Sequence, residues 1–396
     1  MHFAVLLALF SVAAAEVAGP CDEADCALPT CACSSTATPG GLAVASIPHF
    51  VVFSFDDGVT VTNIPFYREL QKRTNPNGCG IEMTFFVSHE NSDYTLVNEL
   101  YRNGHEIAVH SVTHKSDVGE YWRKLNQSQW LAEIEQQREM LNTYGKIPVE
   151  KIKGFRAPFL EVGGDSMFGA LKEAGFDYDC SWPSLQYTPW FRQPDGSYKG
   201  ALWPYTLDYA SIQDQTVGVK PTESFPGLWV SPMTDLQDNR GFECSMLDAC
   251  QSSPEGELET SSEAVFDLLK RNFRSHYNTR TPFGIYTHHS WFYNETRKDG
   301  LRQFLDYLKA FPHVYVVSVR QLLDWVRSPV PLSQLGTMSS FQCGQTLADN
   351  CPDKKNCQYN APLPISNSEI YMKICNSNCP PNYPYLDNVD GSKPYS

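Results

Sequence analysis

The chain has 396 residues, of which 42% are hydrophobic, and its 31 basic and 45 acidic residues give a net charge of −14. The hydrophobic content is enough for a sizeable core and excludes a disordered chain, while the acidic balance argues against nucleic acid as a partner. The 13 cysteines are too few for a miniprotein built on disulfides alone. We therefore expect them to staple a fold that has its own core, with at least one cysteine unpaired or intermolecular.

The first 15 residues predict that the protein is secreted. Residues 1–15 have the pattern of a secretory signal peptide, because the apolar run at residues 3–10 precedes small residues at 13–15. That run is too short to span a bilayer, and no later stretch reaches about 18 apolar residues. Secretion permits disulfides, and N-glycosylation sequons begin at Asn126 and Asn294.

Apolar, β-rich runs alternate with helical patterns through the middle of the chain. Strands are predicted at residues 49–55, 83–88, 106–109, 152–155, 283–287 and 314–319. Helices are predicted at residues 129–144, with Ser128 as the cap, at 262–277 and at 301–311. Such alternation favours a parallel sheet covered by helices, with a barrel as its closed form and an active site at the C-terminal strand ends.

Residues 181–251 differ from the rest because they are rich in Pro, Gly and aromatic residues. Two interpretations stay open: long loops over the top of the barrel, or a subdomain with a small core of its own. Residues 16–47 form a Cys-containing N-terminal segment. Residues 330–396 are rich in Pro, Asn and Cys, which predicts an irregular extension held against the barrel by disulfides.

The first predicted strand ends in Ser54-Phe55-Asp56-Asp57-Gly58. Adjacent residues of a strand point to opposite sides, so Asp56 and Asp57 are able to take separate tasks, one on a metal and one beside it. For this motif alone, an ordinary Asp-Asp-Gly turn is the simpler interpretation. His110 and His114, at i and i+4 after the third strand, are able to converge on one metal, and two His with one Asp match a catalytic zinc site. In isolation they also fit a pair of surface histidines.

Three further motifs follow predicted strands. Arg156-Ala-Pro-Phe offers an arginine that holds a carboxylate or makes a surface ion pair. Asp179-Cys-Ser-Trp adds another carboxylate. His288, which ends the strand at residues 283–287, is either a general acid or a satisfied core histidine.

The order and content of these five motifs resemble the polysaccharide deacetylases of carbohydrate esterase family four. Flanks such as Asn75-Pro-Asn-Gly-Cys, Thr84-Phe-Phe-Val-Ser-His and Trp203-Pro-Tyr-Thr resemble the insect-type chitin deacetylases. The resemblance covers residues 48–329 and implies a catalytic domain there, an α/β fold that is a distorted (β/α) barrel with long aromatic-rich loops and a disulfide-tied C-terminal extension. We see no separate six-cysteine chitin-binding module ahead of it, so the resemblance is to members lacking one.

The resemblance also implies roles for particular residues. One divalent metal ion, zinc in most of the family, would be held by Asp57, His110 and His114. Asp56 would be the general base and His288 the general acid. Arg156 would orient Asp56, Asp179 would tune His288, and the backbone N–H of Phe159 would donate to the oxyanion. The residues expected to bind substrate are three tryptophans, Trp182, Trp203 and Trp291.

The sequence thus predicts a secreted, metal-dependent chitin deacetylase that converts chitin or chito-oligosaccharides to chitosan and acetate. We expect a monomer without nucleic-acid or membrane partners, in the insect gut lining or the cuticle. One alternative is a catalytically weak chitin-binding or matrix-organising protein on the same scaffold. Another is a glycoside hydrolase with two carboxylates, for which the sequence neighbours Asp56 and Asp57 are poorly suited.

Overall fold

The structure is a computed structural model and describes residues 16–185, 191, 198–214, 217–254, 260–344 and 346–395. The predicted signal peptide at residues 1–15 lies outside these residues. Within them, no helix is both long enough and apolar enough to cross a bilayer.

Seventeen strands and seven α-helices are found in the described residues. The helices are α1 (Ile64–Leu70), α2 (Tyr94–Arg102), α3 (Gln127–Gly145), α4 (Gly164–Glu173), α5 (Ser262–Tyr277), α6 (Glu295–Leu308) and α7 (Val319–Arg327). The strands are β1 (His49–Asp56), β2 (Thr84–Val87), β3 (Glu106–Val109), β4 (Gly154–Phe155), β5 (Val162–Gly163), β6 (Tyr178–Asp179), β7 (Pro183–Ser184), β8 (Tyr205–Leu207), β9 (Gly218–Val219), β10 (Phe225–Val230), β11 (Met233–Thr234), β12 (Leu236–Gln237), β13 (Glu243–Cys244), β14 (Phe283–His288), β15 (Val314–Val317), β16 (Lys355–Tyr359) and β17 (Ile370–Ile374).

Nine strands form one sheet in the order β14-β1-β2-β3-β4-β6-β10-β8, and β15 pairs with the first half of β1. All neighbouring strands are parallel except β10 and β8, so the predicted α/β fold with a mostly parallel sheet is confirmed. In the described residues β14 and β8 are not paired with each other. The barrel is therefore open between them, and the backbone N–H of Leu247 covers that edge by donating to the Tyr286 carbonyl at 2.7 Å.

Alternate side chains of β1 face two different cores. Val51 and Phe53 belong to the cluster that also contains the buried faces of helices α1–α6, whereas Phe50 and Val52 belong to a second cluster that includes residues of α7. Because successive side chains of a strand point to opposite faces, Asp56 faces the same side as Phe50 and Val52. The side chain of Asp56 therefore lies at the C-terminal end of β1, on the face that carries Phe50 and Val52. We call this face the inner side of the sheet.

The predicted Ser128 cap is wrong, because α3 starts earlier. Asn126 is the N-cap and accepts from the Gln129 N–H at 3.0 Å, while the Gln129 side chain accepts from the Asn126 N–H at 3.0 Å. This reciprocal pair is a capping box, and the Ser128 hydroxyl only donates to the Asn126 side chain. Asn294 likewise caps α6. Both sequon asparagines are exposed, and their glycosylation stays a prediction.

Among the described residues of 181–251, strands β8 and β10 extend the main sheet, so this segment does not consist of loops alone. Several of its described aromatic side chains belong to the two cores defined above, whereas Phe242 is 70% exposed. Trp203 and Trp229 lie in the second cluster, and Tyr205 lies in the first. Large aromatic side chains gain stability from burial, and these residues extend the two cores of the barrel.

Six disulfides are present and Cys180 is the buried free cysteine. The pairs are Cys21–Cys33, Cys26–Cys31, Cys79–Cys343, Cys244–Cys250, Cys351–Cys375 and Cys357–Cys379. The third pair ties the C-terminal extension to the barrel, as predicted. The extension is not wholly irregular, however, because β16 and β17 form an antiparallel hairpin within it.

A buried histidine joins this extension to the barrel. Nε2 of His89 donates to the carbonyl of Pro384 at 2.8 Å, which leaves Nδ1 to accept from the Tyr94 hydroxyl at 2.7 Å. Tyr144 of α3 makes a similar link, donating its hydroxyl to the Val389 carbonyl at 2.6 Å. Residues 384–389 are thus held against the barrel beside the loop that follows β2.

Buried histidines are expected to make the fold sensitive to acid. Burial lowers the pKa of His89 and His105 to about 4 and that of His276 to about 3, whereas in the unfolded chain each titrates near 6.5. As the pH falls from about 6.5 to about 4, only the unfolded chain takes up these protons. Each histidine should therefore contribute a fall of about 1.4 kcal/mol per pH unit to the free energy of unfolding, against buried carboxyls such as Glu82 and Asp235, whose pKa burial raises to about 7 and whose contribution has the opposite sign.

Urea unfolding in EDTA at about pH 7, 6 and 5 measures this slope. His105→Phe keeps an aromatic ring beside Phe85, whose ring centroid lies 5.7 Å from that of His105, and should remove one histidine's share. A pH dependence that is the same in His105→Phe as in the unaltered protein would contradict the prediction.

Candidate active site

Asp57, His110 and His114 lie together at the C-terminal edge of the sheet. Asp57 directly follows β1 and His110 directly follows β3. Nε2 of His114 and Nε2 of His110 lie 3.3 and 3.8 Å from Oδ1 of Asp57, and one ligand atom from each residue lies within 4.8 Å of the other two. The structure therefore brings together the three residues that the sequence analysis assigned to a metal.

His110 is arranged to bind a cation. Its Nδ1 donates to the carbonyl of Arg156 at 2.8 Å, so the lone pair resides on Nε2, which is buried and has no hydrogen-bond partner in the described part of the chain. Burial, reinforced by the neighbouring His114, lowers the pKa of His110 to about 3. A neutral imidazole whose lone pair faces a carboxylate is stable only if a cation lies between them, and this donor set fits a divalent ion.

The backbone around this group is held in unusual conformations. Asp57, Ser111, His114 and Phe159 have φ angles of 78°, 86°, 41° and 58°, in the left-handed region that residues other than glycine seldom adopt. Each such residue costs on the order of 1–3 kcal/mol and persists only where the surroundings determine it, often at functional sites. Their clustering here favours this end of the sheet as the candidate functional site.

Asp56 is buried beside Arg156 on the inner side of the sheet. Nη1 of Arg156 donates to Oδ1 of Asp56 at 2.5 Å and to the hydroxyl of Ser54 at 3.0 Å. The guanidinium carbon lies 4.0 and 5.0 Å from the ring centroids of Phe86 and Tyr286. Arg156 is 0% exposed, so it is not a surface ion-pair residue. A buried charge is tolerated only when it is paired, and the pair therefore fixes the Asp56 carboxylate.

His288 ends β14 directly opposite Asp56 in the β1–β14 register. Its Nδ1 lies 2.9 Å from Oδ2 of Asp248, and its backbone N–H donates to the same carboxylate at 3.2 Å. Burial alone would lower the pKa of His288, but the hydrogen bond to Asp248 and the charge of Asp56 raise it to about 9. These carboxylates favour the protonated imidazolium, in which Nδ1 donates to Asp248 and Nε2 carries the other proton.

Asp179 does not contact His288, contrary to the role that the resemblance implied. Its carboxylate accepts from the hydroxyl and the backbone N–H of Ser181 at 2.5 and 3.0 Å. The Ser181 hydroxyl oxygen in turn accepts from the backbone N–H of Ala157 at 2.7 Å. Asp179 thus supports the loop that carries Phe159, because Ser181 links its carboxylate to the backbone of Ala157, and Asp248 is the carboxylate that contacts His288.

Phe159 lies on the loop after β4, beside the predicted cation site. Its ring centroid is 5.0 Å from that of His114, and its side chain is 43% exposed. The Phe159 side chain thus lies beside the half-buried His114, and the role of its backbone N–H at an oxyanion stays a prediction.

The three tryptophans expected to bind substrate are buried. Trp182, Trp203 and Trp291 are 1%, 3% and 1% exposed. Nε1 of Trp182 donates to the carbonyl of Asp214 at 2.7 Å, and Trp203 packs against Trp325 with ring centroids 5.4 Å apart. The burial of all three rings argues against the expected role in binding substrate, because a ring enclosed by the fold has no free face to contact a sugar.

Asp248 was missed in the sequence analysis because no recurring motif contains it. It lies in the segment between Cys244 and Cys250, which a disulfide closes into a loop. The sequence feature that could have indicated Asp248 is its position between two cysteines only six residues apart. Its partner was not deducible, because the contact with β14 joins residues 40 positions apart.

Comparisons with known proteins agree with this arrangement. The family model described as polysaccharide deacetylase matches residues 44–178. Chitin deacetylase 8 of Bombyx mori is 39% identical over 401 residues, which cover 98% of this chain and 99% of that protein. Chitin deacetylase 1 of Bombyx mori is 31% identical over 399 residues, which cover 96% of this chain and 70% of that protein. With relatives at this identity along nearly its whole length, the chain belongs to the polysaccharide deacetylase family.

Proposed function

We propose that the chain is a secreted, zinc-dependent chitin deacetylase that hydrolyses the N-acetyl groups of N-acetylglucosamine residues to give chitosan and acetate. The observation that carries the proposal is the grouping of Asp57, His110 and His114 within 4.8 Å, flanked by Asp56 and His288 in register on neighbouring strands. The names of the Bombyx mori relatives support chitin as the substrate. The six disulfides support an oxidising, extracellular location.

The proposed mechanism uses a buried base, a charged acid and a cation. A divalent cation bound by Asp57, His110 and His114 would polarise the acetamide carbonyl and lower the pKa of a water molecule. Asp56, held in place by Arg156, takes a proton from the attacking water. The backbone N–H of Phe159 donates to the carbonyl oxygen as it gains negative charge.

The acid completes the reaction. Nε2 of His288 gives its proton to the amide nitrogen, so the C–N bond breaks and the sugar leaves as an amine while acetate keeps the oxygen from water. An unprotonated amide nitrogen is a poor leaving group, and general acid catalysis typically contributes 10²–10⁴-fold. Asp248 keeps His288 charged until that step. We further propose that the chain acts as a monomer on chitin or chito-oligosaccharides of the gut lining or cuticle.

Acetate release from chito-oligosaccharides tests the proposal directly. The protein should release acetate, EDTA should stop the release and zinc should restore it. Asp56→Asn should lower kcat at least about 100-fold while the variant still binds zinc, since Asp56 lies beside the ligands but is not among them. Zinc content and thermal unfolding of the variant are the controls for folding, because the change leaves Arg156 without its charged partner.

Two other outcomes would contradict this proposal. If folded, zinc-loaded protein binds chitin but releases no acetate from any N-acetylated glycan, the chain is a binding or matrix-organising protein. Shortened oligosaccharides without acetate would instead indicate a glycoside hydrolase.

The neighbouring histidines provide a matched pair of variants. His289 has a different partner from His288, since its Nε2 lies 2.9 Å from the hydroxyl of the exposed Tyr293. His288→Ala should therefore lower kcat about 100-fold or more, whereas His289→Ala should change it by less than about threefold. The reverse result would show that His289 is the acid.

The pH dependence should report the state of His288. The reaction needs this imidazole protonated, so kcat should fall as the pH rises toward the pKa of about 9 that Asp248 and Asp56 maintain against burial, or lower when a cation is bound nearby. Asp248→Asn removes the hydrogen-bonded charge and leaves burial dominant, so the alkaline limb should move down by at least about one pH unit. Asp179→Asn, which alters a contact with Ser181 instead, should leave the limb in place. An unmoved limb in Asp248→Asn would show that Asp248 does not set this pKa.

A further inference from the structure

A buried glutamate on α3 holds the loop that carries both predicted histidine ligands. Glu133 is 0% exposed. One of its carboxylate oxygens accepts from the backbone N–H groups of Val112 and Thr113 at 3.0 and 2.9 Å. The other accepts from the hydroxyls of Thr113 and Tyr121, each at 2.5 Å. Four donors therefore converge on one side chain.

The donors come from the middle of the loop between the two histidines. Val112 and Thr113 lie between His110 and His114, in a segment without regular hydrogen bonding of its own. A buried carboxylate is costly unless its lone pairs are satisfied, and here each oxygen has two partners. Charge-assisted hydrogen bonds of this kind are about twice as strong as neutral ones, so the loop is firmly attached to α3.

The two histidines depend on this attachment to different degrees. His110 follows β3 directly, and its Nδ1 is held by the Arg156 carbonyl. His114 follows the turn, adopts a left-handed conformation with φ 41°, and is held within the loop by a 3.2 Å bond from its backbone N–H to the Ser111 hydroxyl. The part of the loop that places His114 is therefore the part that Glu133 fixes.

We propose that Glu133 is a positioning residue for the cation site, setting the place of His114 relative to His110 and Asp57. This inference rests on the cation site of the proposed function and adds a residue that lies outside the five recurring motifs. Outer partners of metal ligands commonly change affinity 10–100-fold when they are altered. The carboxylate of Glu133 acts one step further out, through the backbone that carries the ligand.

The test is zinc affinity, measured on metal-free protein by competition with a chromophoric chelator. In Glu133→Gln the amide oxygen accepts from the two backbone N–H groups and the two hydroxyls must turn to accept from the amide NH2, so all four hydrogen bonds lose their charge assistance and the zinc Kd should rise about 10-fold. Glu133→Asp keeps the charge but withdraws it by one methylene, and should also weaken binding. Glu139→Gln is the matched control, because Glu139 lies on the exposed side of the same helix and should leave the Kd unchanged.

Cobalt substitution gives a second readout that general destabilisation would not move. The visible d–d absorption of bound Co²⁺ reports ligand geometry, so it should change in Glu133→Gln and stay unchanged in Glu139→Gln. If Glu133→Gln does not fold, Tyr121→Phe removes one hydroxyl donor to Glu133 and should raise the Kd about 5-fold, as the loss of about 1 kcal/mol would.

These measurements distinguish failure of the proposed cation site from failure of the role proposed for Glu133. Absence of zinc binding in the unaltered protein would remove the cation site and the proposed function with it. Normal zinc binding in the unaltered protein, together with an unchanged Kd and cobalt spectrum in Glu133→Gln, or in Tyr121→Phe where that variant replaces it, would overturn only the role of Glu133. Normal binding in Glu133→Asp with weak binding in Glu133→Gln would show a charge effect and would equally overturn positioning.

Discussion

The ion pair between Arg156 and Asp56 is the constraint on which the rest of the site depends. Both residues are buried on the inner side of the sheet, where an unpaired charge would cost several kcal/mol. Arg156 also uses its main chain, because its carbonyl accepts from Nδ1 of His110 and so determines which nitrogen of that ring faces Asp57. Arg156, which directly follows β4, therefore orients the proposed base Asp56 through its side chain and the proposed ligand His110 through its backbone.

Around this pair, the functional loops lack regular structure and are held instead by buried carboxylates. Glu133 holds the loop after β3, Asp179 holds the loop after β4 through Ser181, and Asp248 holds His288 at the end of β14. Each carboxylate satisfies several donors that no strand or helix would satisfy, and the first two of these loops keep left-handed conformations at His114 and Phe159. The loops at this edge of the sheet are thus held in place by side-chain hydrogen bonds rather than by backbone pairing.

The sequence predicted the strands that carry the site to within one residue at each end for β1, β2 and β14, and without error for β3. It did so because buried parallel strands are nearly continuous apolar runs, and their polar ends stand out. The burial of the tryptophans expected to bind substrate was not predictable, because an aromatic residue in a Pro- and Gly-rich segment has the same local pattern whether it lines a cleft or fills a core. Trp203 contacts Trp325, more than a hundred residues away, and nothing near Trp203 in the sequence indicates that contact.

The sequence by itself determined the fold class, the order of the five motifs and the proximity of Asp57 to His110, because parallel strands must bring their C-terminal ends to one edge. The tertiary structure alone decided which carboxylate meets His288, that Cys180 is the free thiol, and that Glu133 lies beneath the histidine loop. These outcomes depend on contacts between segments 20 to 40 residues apart or more, which packing selects among many compatible partners. The spacing of residues in the sequence indicates which side chains could form a site. The packing of the folded chain determines which groups contact those side chains, and these contacts set their pKa values.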